Sequence, residues 1–193
     1  MVYFTQIKTG SREELVCGRL FGRQKNKLLA SVSFQNSDLT LDTSKAVFSE
    51  NDFKRGIILP TKITPLLDEE VGMHLGDGFL SKTKNEYRLK GSYIDERGFY
   101  DGFVKKTYKK LFNLDVEIKD YAYSYGFEVC SKALSTFKTN VLNIPAGRKT
   151  AIRVPDKFKV NDEQVLAGLI RGYFDTDGCL CFVSKYGYKS YYP

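Results

Sequence analysis

The clearest periodicity of apolar and polar positions lies between residues 61 and 142. Pro65 opens a helical stretch over 66–76, with Asp68, Glu69 and Glu70 in its first turn, where the helix dipole favours anions. Asp77-Gly78 ends it. Strands are predicted over 79–85 and 87–94, separated by the turn-like Lys84-Asn85. In the second, Tyr87, Leu89 and Gly91 alternate with Arg88 and Lys90, which implies one buried face and one basic face. A helix over 97–112 places Phe99, Phe103, Tyr108, Leu111 and Phe112 on one side. Strands over 115–121 and 123–130 and a helix over 131–142 follow. The order is helix, strand, strand, helix, strand, strand, helix, which makes the fold class α+β.

The pattern then restarts. A proline-containing connection over 144–160 leads to a helix over 162–176, which ends at Asp177-Gly178 and is followed by a strand over 179–185. The two Asp-Gly helix ends lie 100 residues apart, an internal repeat of long period. Three segments result: an N-terminal accessory segment or small domain over 1–60, a first repeat over 61–150, and a connection with the start of a second repeat over 151–193. Only 16 residues follow Asp177, so the second copy reads as truncated. A helix and hairpin alone bury too little to fold independently, and a chain cut there is expected to cleave poorly.

Residues 1–60 carry weaker signals. Ser11-Arg12-Glu13-Glu14 ahead of Leu15, Val16 and Leu20 resembles a capped helix start, while 28–34 and 39–41 alternate like strands. A small domain and an arm lying on nucleic acid both remain open for this segment.

Composition narrows the function. A net charge of +7 attracts polyanions, because each neutralised phosphate releases a condensed counterion. No run of about 18 apolar residues exists to span a membrane, and the N-terminus lacks the apolar stretch of a signal peptide, which predicts an intracellular, non-membrane protein. Four cysteines without a Cys-x-x-Cys pair and a single histidine, His74, exclude the usual zinc spacings. Any metal must therefore be held by oxygen.

The chemistry concentrates at the two helix ends. Glu70-Val-Gly-Met-His-Leu-Gly-Asp77-Gly and Ile170-Arg-Gly-Tyr-Phe-Asp-Thr-Asp177-Gly share glycine at the third position, a small residue at the seventh, aspartate at the eighth and glycine at the ninth. Gly72, Gly76, Gly172 and Thr176 are small residues four apart, a spacing that lets two helix backbones approach closely. The second copy, with its lead-in, reads LAGLIRGYFDTDG, and the first reads EEVGMHLGDGF. Residues 60–193 resemble the LAGLIDADG homing endonucleases on these motifs and on the element order. The looser first motif is similar to archaeal and intein-type members.

The resemblance implies two αββαββα repeats packed through their motif helices, with a saddle-shaped antiparallel sheet over double-stranded DNA. It also implies that Asp77 and Asp177 are catalytic and that they hold Mg²⁺ or Mn²⁺ together with Gly76 and Thr176. Helices crossing at the small residues bring the two aspartates together, and a divalent cation relieves their repulsion. Gly147-Arg148-Lys149, ahead of Val154-Pro155, resembles the segment that supplies a water-positioning base, which nominates Lys149. DNA contacts fall to Lys82, Lys84, Arg88 and Lys90 in the first hairpin, and to Lys119, Tyr121, Tyr123 and Tyr125 in the second. Lys185, Tyr188 and Lys189 would continue them into the next repeat, since a β-ribbon fits the major groove. His74 is expected to pack at the helix interface and Asp175 to help cap its helix.

The activity implied is site-specific double-strand cleavage by a protein that is monomeric when both repeats are complete. Its competitor is a non-cleaving binder on the same fold, an intron RNA maturase or a DNA-binding regulator. An intein is disfavoured, since no Cys or Ser stands at the start and no His-Asn at the end.

Overall fold

The computed structural model describes residues 3–9, 12–18, 39–149, 152–159, 162–179, 183–184 and 191–192. The chain divides into one unit over 1–33 and another over 34–193. In the first, β1 (Tyr3–Thr9) pairs antiparallel with β2 (Arg12–Gly18), Thr9 opposite Arg12 and Tyr3 opposite Gly18. The helix expected after Ser11 is thus a strand from Arg12 onward. A side-chain cap is worth about 1 kcal/mol, whereas the aromatic and β-branched run from Tyr3 to Ile7 supplies a pairing partner for the whole length of β2. The strand read over 28–34 lies outside the described residues. The one read over 39–41 is reduced to a single bridge, Thr40 to Lys62, with hydrogen bonds from Leu41 to Thr61 and from Ile63 to Leu39.

The division falls near residue 33 rather than 60 because the stretch after Leu39 belongs to the second unit's core. Leu41 and Ile57 are buried there. Short helix α1 (Glu50–Lys54) is held by a reciprocal capping box between Ser49 and Asp52. Asp52 Oδ2 also accepts the Ala133 N–H at 3.0 Å, tying this segment to the far end of the repeat.

Helix α2 (Pro65–Gly76) is capped by Thr64, whose hydroxyl accepts the Leu67 N–H, and has proline at its first position. Then come β3 (Gly78–Leu80), β4 (Glu86–Gly91), β5 (Lys119–Tyr121) and β6 (Ser124–Cys130), forming one antiparallel sheet in the order β3-β4-β6-β5. The first two strands are shorter than their sequence pattern. The Ser81 hydroxyl accepts the N–H groups of Thr83 and Lys84, folding that stretch into a turn, and the Ser92 hydroxyl does the same for Ile94 and Asp95.

Between β4 and β5, the segments Arg97–Phe99, Tyr100–Val104 and Lys105–Phe112 form helix α3, with a π turn at its centre. The wider turn shifts the fully buried stripe to Tyr100, Val104, Tyr108 and Phe112, leaving Phe99 and Phe103 half-buried at its edge. Helix α4 (Lys132–Thr136, continued through Phe137–Val141) closes the repeat. The core forms where Tyr87 and Phe127 of the sheet meet Tyr108 of α3, the Tyr108–Phe127 rings lying 4.7 Å apart.

Helix α5 (Glu163–Asp177) begins at Asp162, whose carboxylate accepts the Gln164 and Val165 N–H groups, and it lies against α2. Of the strand read over 179–185, Cys179 lies outside any strand and Val183–Ser184 form β7, paired with β8 (Tyr191–Tyr192). The unit is therefore mixed α+β. Among the described residues no helix is long and apolar enough to cross a membrane.

Candidate functional site

Backbone contact between α2 and α5 positions everything else. A Cβ on Gly172 would collide with the Glu69 carbonyl and stand 3.0 Å from Met73 N, and one on Gly72 would collide with the Leu169 carbonyl. On Gly76 it would run into the Thr176 side chain. Gly168 belongs to the same seam, facing the Pro65 carbonyl, and its spacing of four from Gly172 is the signal that marks it. Arg171 clamps the pair with two hydrogen bonds to the Glu69 carboxylate, at 2.6 and 2.7 Å.

This contact sets the ends of the two helices side by side. Asp77 is the C-cap residue of α2, its N–H bonded to the Met73 carbonyl, and its side chain is half-buried. Tyr100 donates to Asp77 Oδ2 at 3.3 Å. Burial and then the charge of Glu96 push Asp77 up to about 7; Tyr100 and Lys149 oppose the rise, and Asp177 adds to it. Asp177 is the exposed last residue of α5, with its Cβ 3.3 Å from the position a Gly76 Cβ would take. Lys149 Nζ donates to the Gly76 carbonyl and, at 3.3 Å, to that of Leu75, so its positive charge sits on the negative end of α2. Burial lowers the Lys149 pKa, and the charges of Asp77 and Asp177 hold it up.

The remaining motif residues have structural partners. The Gly76 carbonyl accepts from Lys149, and the Thr176 hydroxyl donates to its own helix at Gly172 O, 2.9 Å away; each oxygen keeps a lone pair beyond that bond. His74 faces the sheet rather than α5. Its ring stacks on Tyr87 at 5.3 Å, and burial, then the charges of Lys138 and Lys149, keep it neutral. Spacing explains this, since position 74 lies on the helix face opposite Gly72 and Gly76. Asp175 does not cap α5, where the Gly178 N–H donates to the Phe174 carbonyl; it lies near Glu69 and Arg171 instead.

Two groups at the site had no sequence signal. Glu96 and Tyr100, at the start of α3, reach Asp77 only because α3 folds back across the end of β4. Among the described residues no three His, Cys, Asp or Glu side chains converge as a ready-made metal cage. The donors at hand are carboxylate oxygens, the set Mg²⁺ takes when one or two carboxylates are completed by water and phosphate.

The outer face of the sheet carries Phe79, Arg88, Lys90, Glu128, Lys119 and Tyr121. It is less basic than its lysines suggest. Arg88 is paired with Glu86 and Glu128, Lys90 with Glu128 at 2.5 Å, and Lys119 with Glu117 at 2.9 Å. The Lys90 ammonium also stands 3.3 Å over the Tyr121 ring. Lys82 and Lys84 lie exposed in the β3–β4 connection, and Tyr123 projects from the β5–β6 turn, 89% exposed. Tyr125 departs from the expected set, since it is buried with its hydroxyl on Asp101, because odd positions of β6 face the core. Lys185, Tyr188 and Lys189 lie outside the described residues.

The sequence matches no known protein-family model and no curated protein.

Proposed function

We propose that the protein is a site-specific double-stranded DNA endonuclease of the LAGLIDADG homing type, hydrolysing phosphodiester bonds with Mg²⁺ or Mn²⁺. The observation that carries this reading is the glycine seam between α2 and α5, which delivers Asp77 and Asp177 to one end of the helix pair with Lys149 at the α2 terminus. The αββαββα order and the antiparallel sheet suit the saddle of that fold, with its outer face toward DNA.

Asp77 and Asp177 would hold the cation, one on each helix. A bound divalent ion supplies an acidified water and neutralises charge on the phosphate. The chain's own groups divide the remaining tasks. Tyr100 hydrogen-bonds Asp77 and fixes its rotamer. Lys149 brings a positive charge that steadies both carboxylates and is placed to orient the attacking water. Arg88, Lys90, Lys119 and Tyr121, with Lys82 and Lys84 at the strand connection, meet phosphates and base edges.

Asp77→Asn, in protein expressed from its complete reading frame, tests the assignment on DNA sites selected by binding from a random library. The variant is expected to bind within about threefold of wild type yet lose double-strand cleavage by about 100-fold or more. Full cleavage by the variant would sink the assignment. Binding without cleavage by the wild type would favour the maturase or regulator reading.

A further inference from the structure

We infer that Glu96 is a further residue of this site and holds the divalent cation jointly with Asp77; that a cation binds here at all rests on the nuclease reading above. The argument begins at Gly91, the last residue of β4. Its φ lies outside the left-handed region, which among the described glycines is occupied by Gly56, Gly126 and Gly147, so backbone conformation does not call for glycine there. Space does. A Cβ on Gly91 would fall on Glu96 Oε2 and stand 2.7 Å from Asp77 Oδ2. Two carboxylates from separate elements thus meet over the one residue of β4 that lacks a side chain.

Glu96 is held for this position rather than for capping. It is the N-cap residue of α3, yet its side chain makes no capping hydrogen bond. Instead Oε2 accepts the Ser92 N–H at 2.5 Å, which turns the carboxylate back across the end of β4 toward α2. Like charges brought together in a half-buried setting repel, and a cation between them reverses the sign of that interaction. Asp177, exposed at the end of α5, faces the same point from the other helix, and its effect on Asp77 is weaker than that of Glu96. Carboxylates completed by water and a DNA phosphate oxygen are a common Mg²⁺ arrangement, and Glu96 adds a second carboxylate on the α2 side of the site.

The test is a Mn²⁺ titration of the full chain without DNA, by calorimetry and by the electron paramagnetic resonance of free Mn²⁺. Glu96→Gln keeps size and the Ser92 hydrogen bond but removes the charge. It is expected to weaken Mn²⁺ binding about tenfold or more, as Asp77→Asn does, while its thermal midpoint in EDTA stays at or above that of wild type. Gly91→Ala provides an independent check should Glu96→Gln fold poorly. It leaves both carboxylates in the chain but puts a methyl group between them, and the same loss of affinity is expected.

Wild-type affinity in Glu96→Gln, with affinity lost in Asp77→Asn, overturns the role of Glu96 and leaves the nuclease reading standing. No Mn²⁺ binding by the wild type up to millimolar concentration overturns the Glu96–Asp77 pair as a cation site, and the nuclease reading then rests on the cleavage assay alone. Weakened Mn²⁺ binding in Glu96→Gln, in a protein that binds DNA but never cuts it, upholds the Glu96 assignment and removes the nuclease reading.

Discussion

Asp68 shows how one residue's surroundings decide its chemistry. It lies in the first turn of α2, where an anion is ordinarily favoured, yet it is fully buried and neither carboxylate oxygen has a hydrogen-bond partner. Burial pushes its pKa up to about 8 from an ordinary 3.8. The folded state therefore keeps a proton that the unfolded chain releases near pH 4. The stability linked to that proton is present below the unfolded pKa and is lost as pH rises through the folded one. Asp68→Asn, a neutral replacement of the same shape, should remove this dependence. Its advantage over wild type in urea unfolding should grow between pH 5 and 8, by up to about 1.4 kcal/mol for each pH unit. An offset equal at both pH values would show that Asp68 does not titrate in this way. Residues of this kind are hard to read from sequence: Asp68 resembles an ordinary first-turn acid until the packing around it is known. Glu96 and Tyr100 are similar, because their link to Asp77 passes through space. Asp77 and Asp177 stand at a fixed offset from the motif glycines, whereas Lys149 is nominated by resemblance alone; the structure brings the three to one end of the helix pair.

Elements were legible to the extent that local forces dominate them. Helix α2 starts at its Thr-Pro signal and α5 at an Asp cap, each within a residue of the pattern. Strand ends were not, because side-chain hydroxyls at Ser81 and Ser92 compete with ladder hydrogen bonds. The hairpin β1–β2 overrode a local helix signal for a related reason, that the pairing partner lies outside the window in which the signal was read. The contact between α2 and α5 makes its own prediction. Gly172→Ala would drive a methyl group into the Glu69 carbonyl, an overpacking cost of about 1–3 kcal/mol, and should lower the thermal midpoint by about 3–10 °C. Gly102→Ala, in an exposed part of α3 with open space around its Cα, should leave the midpoint unchanged or raise it. Equal effects from the two substitutions would show that the seam is not close-packed at Gly172.

Across the whole molecule, net charge and charge placement say different things. A balance of +7 predicts attraction to polyanions, but on the sheet's outer face Glu86, Glu117 and Glu128 partly neutralise the cations meant to provide it. If DNA lies on this face, Glu128→Gln should release Lys90 and Arg88 to phosphate. Non-specific DNA binding should tighten by about threefold, and the slope of log affinity against log salt should steepen by up to about one. Unchanged or weaker binding would place DNA elsewhere. The sequence by itself determined the order of the elements in the second unit, the glycine spacing that lets two helices touch, and the identity of the acids at their ends. Period and capping are local properties, and each residue carries its own share of them. Only the tertiary structure decided that residues 39–60 join the core, that Tyr125 turns inward, that lysines on the sheet meet glutamates, and that Glu96 comes over Gly91 to Asp77. Those outcomes depend on distances between parts of the chain far apart in sequence, and such distances exist only once packing has brought the elements together.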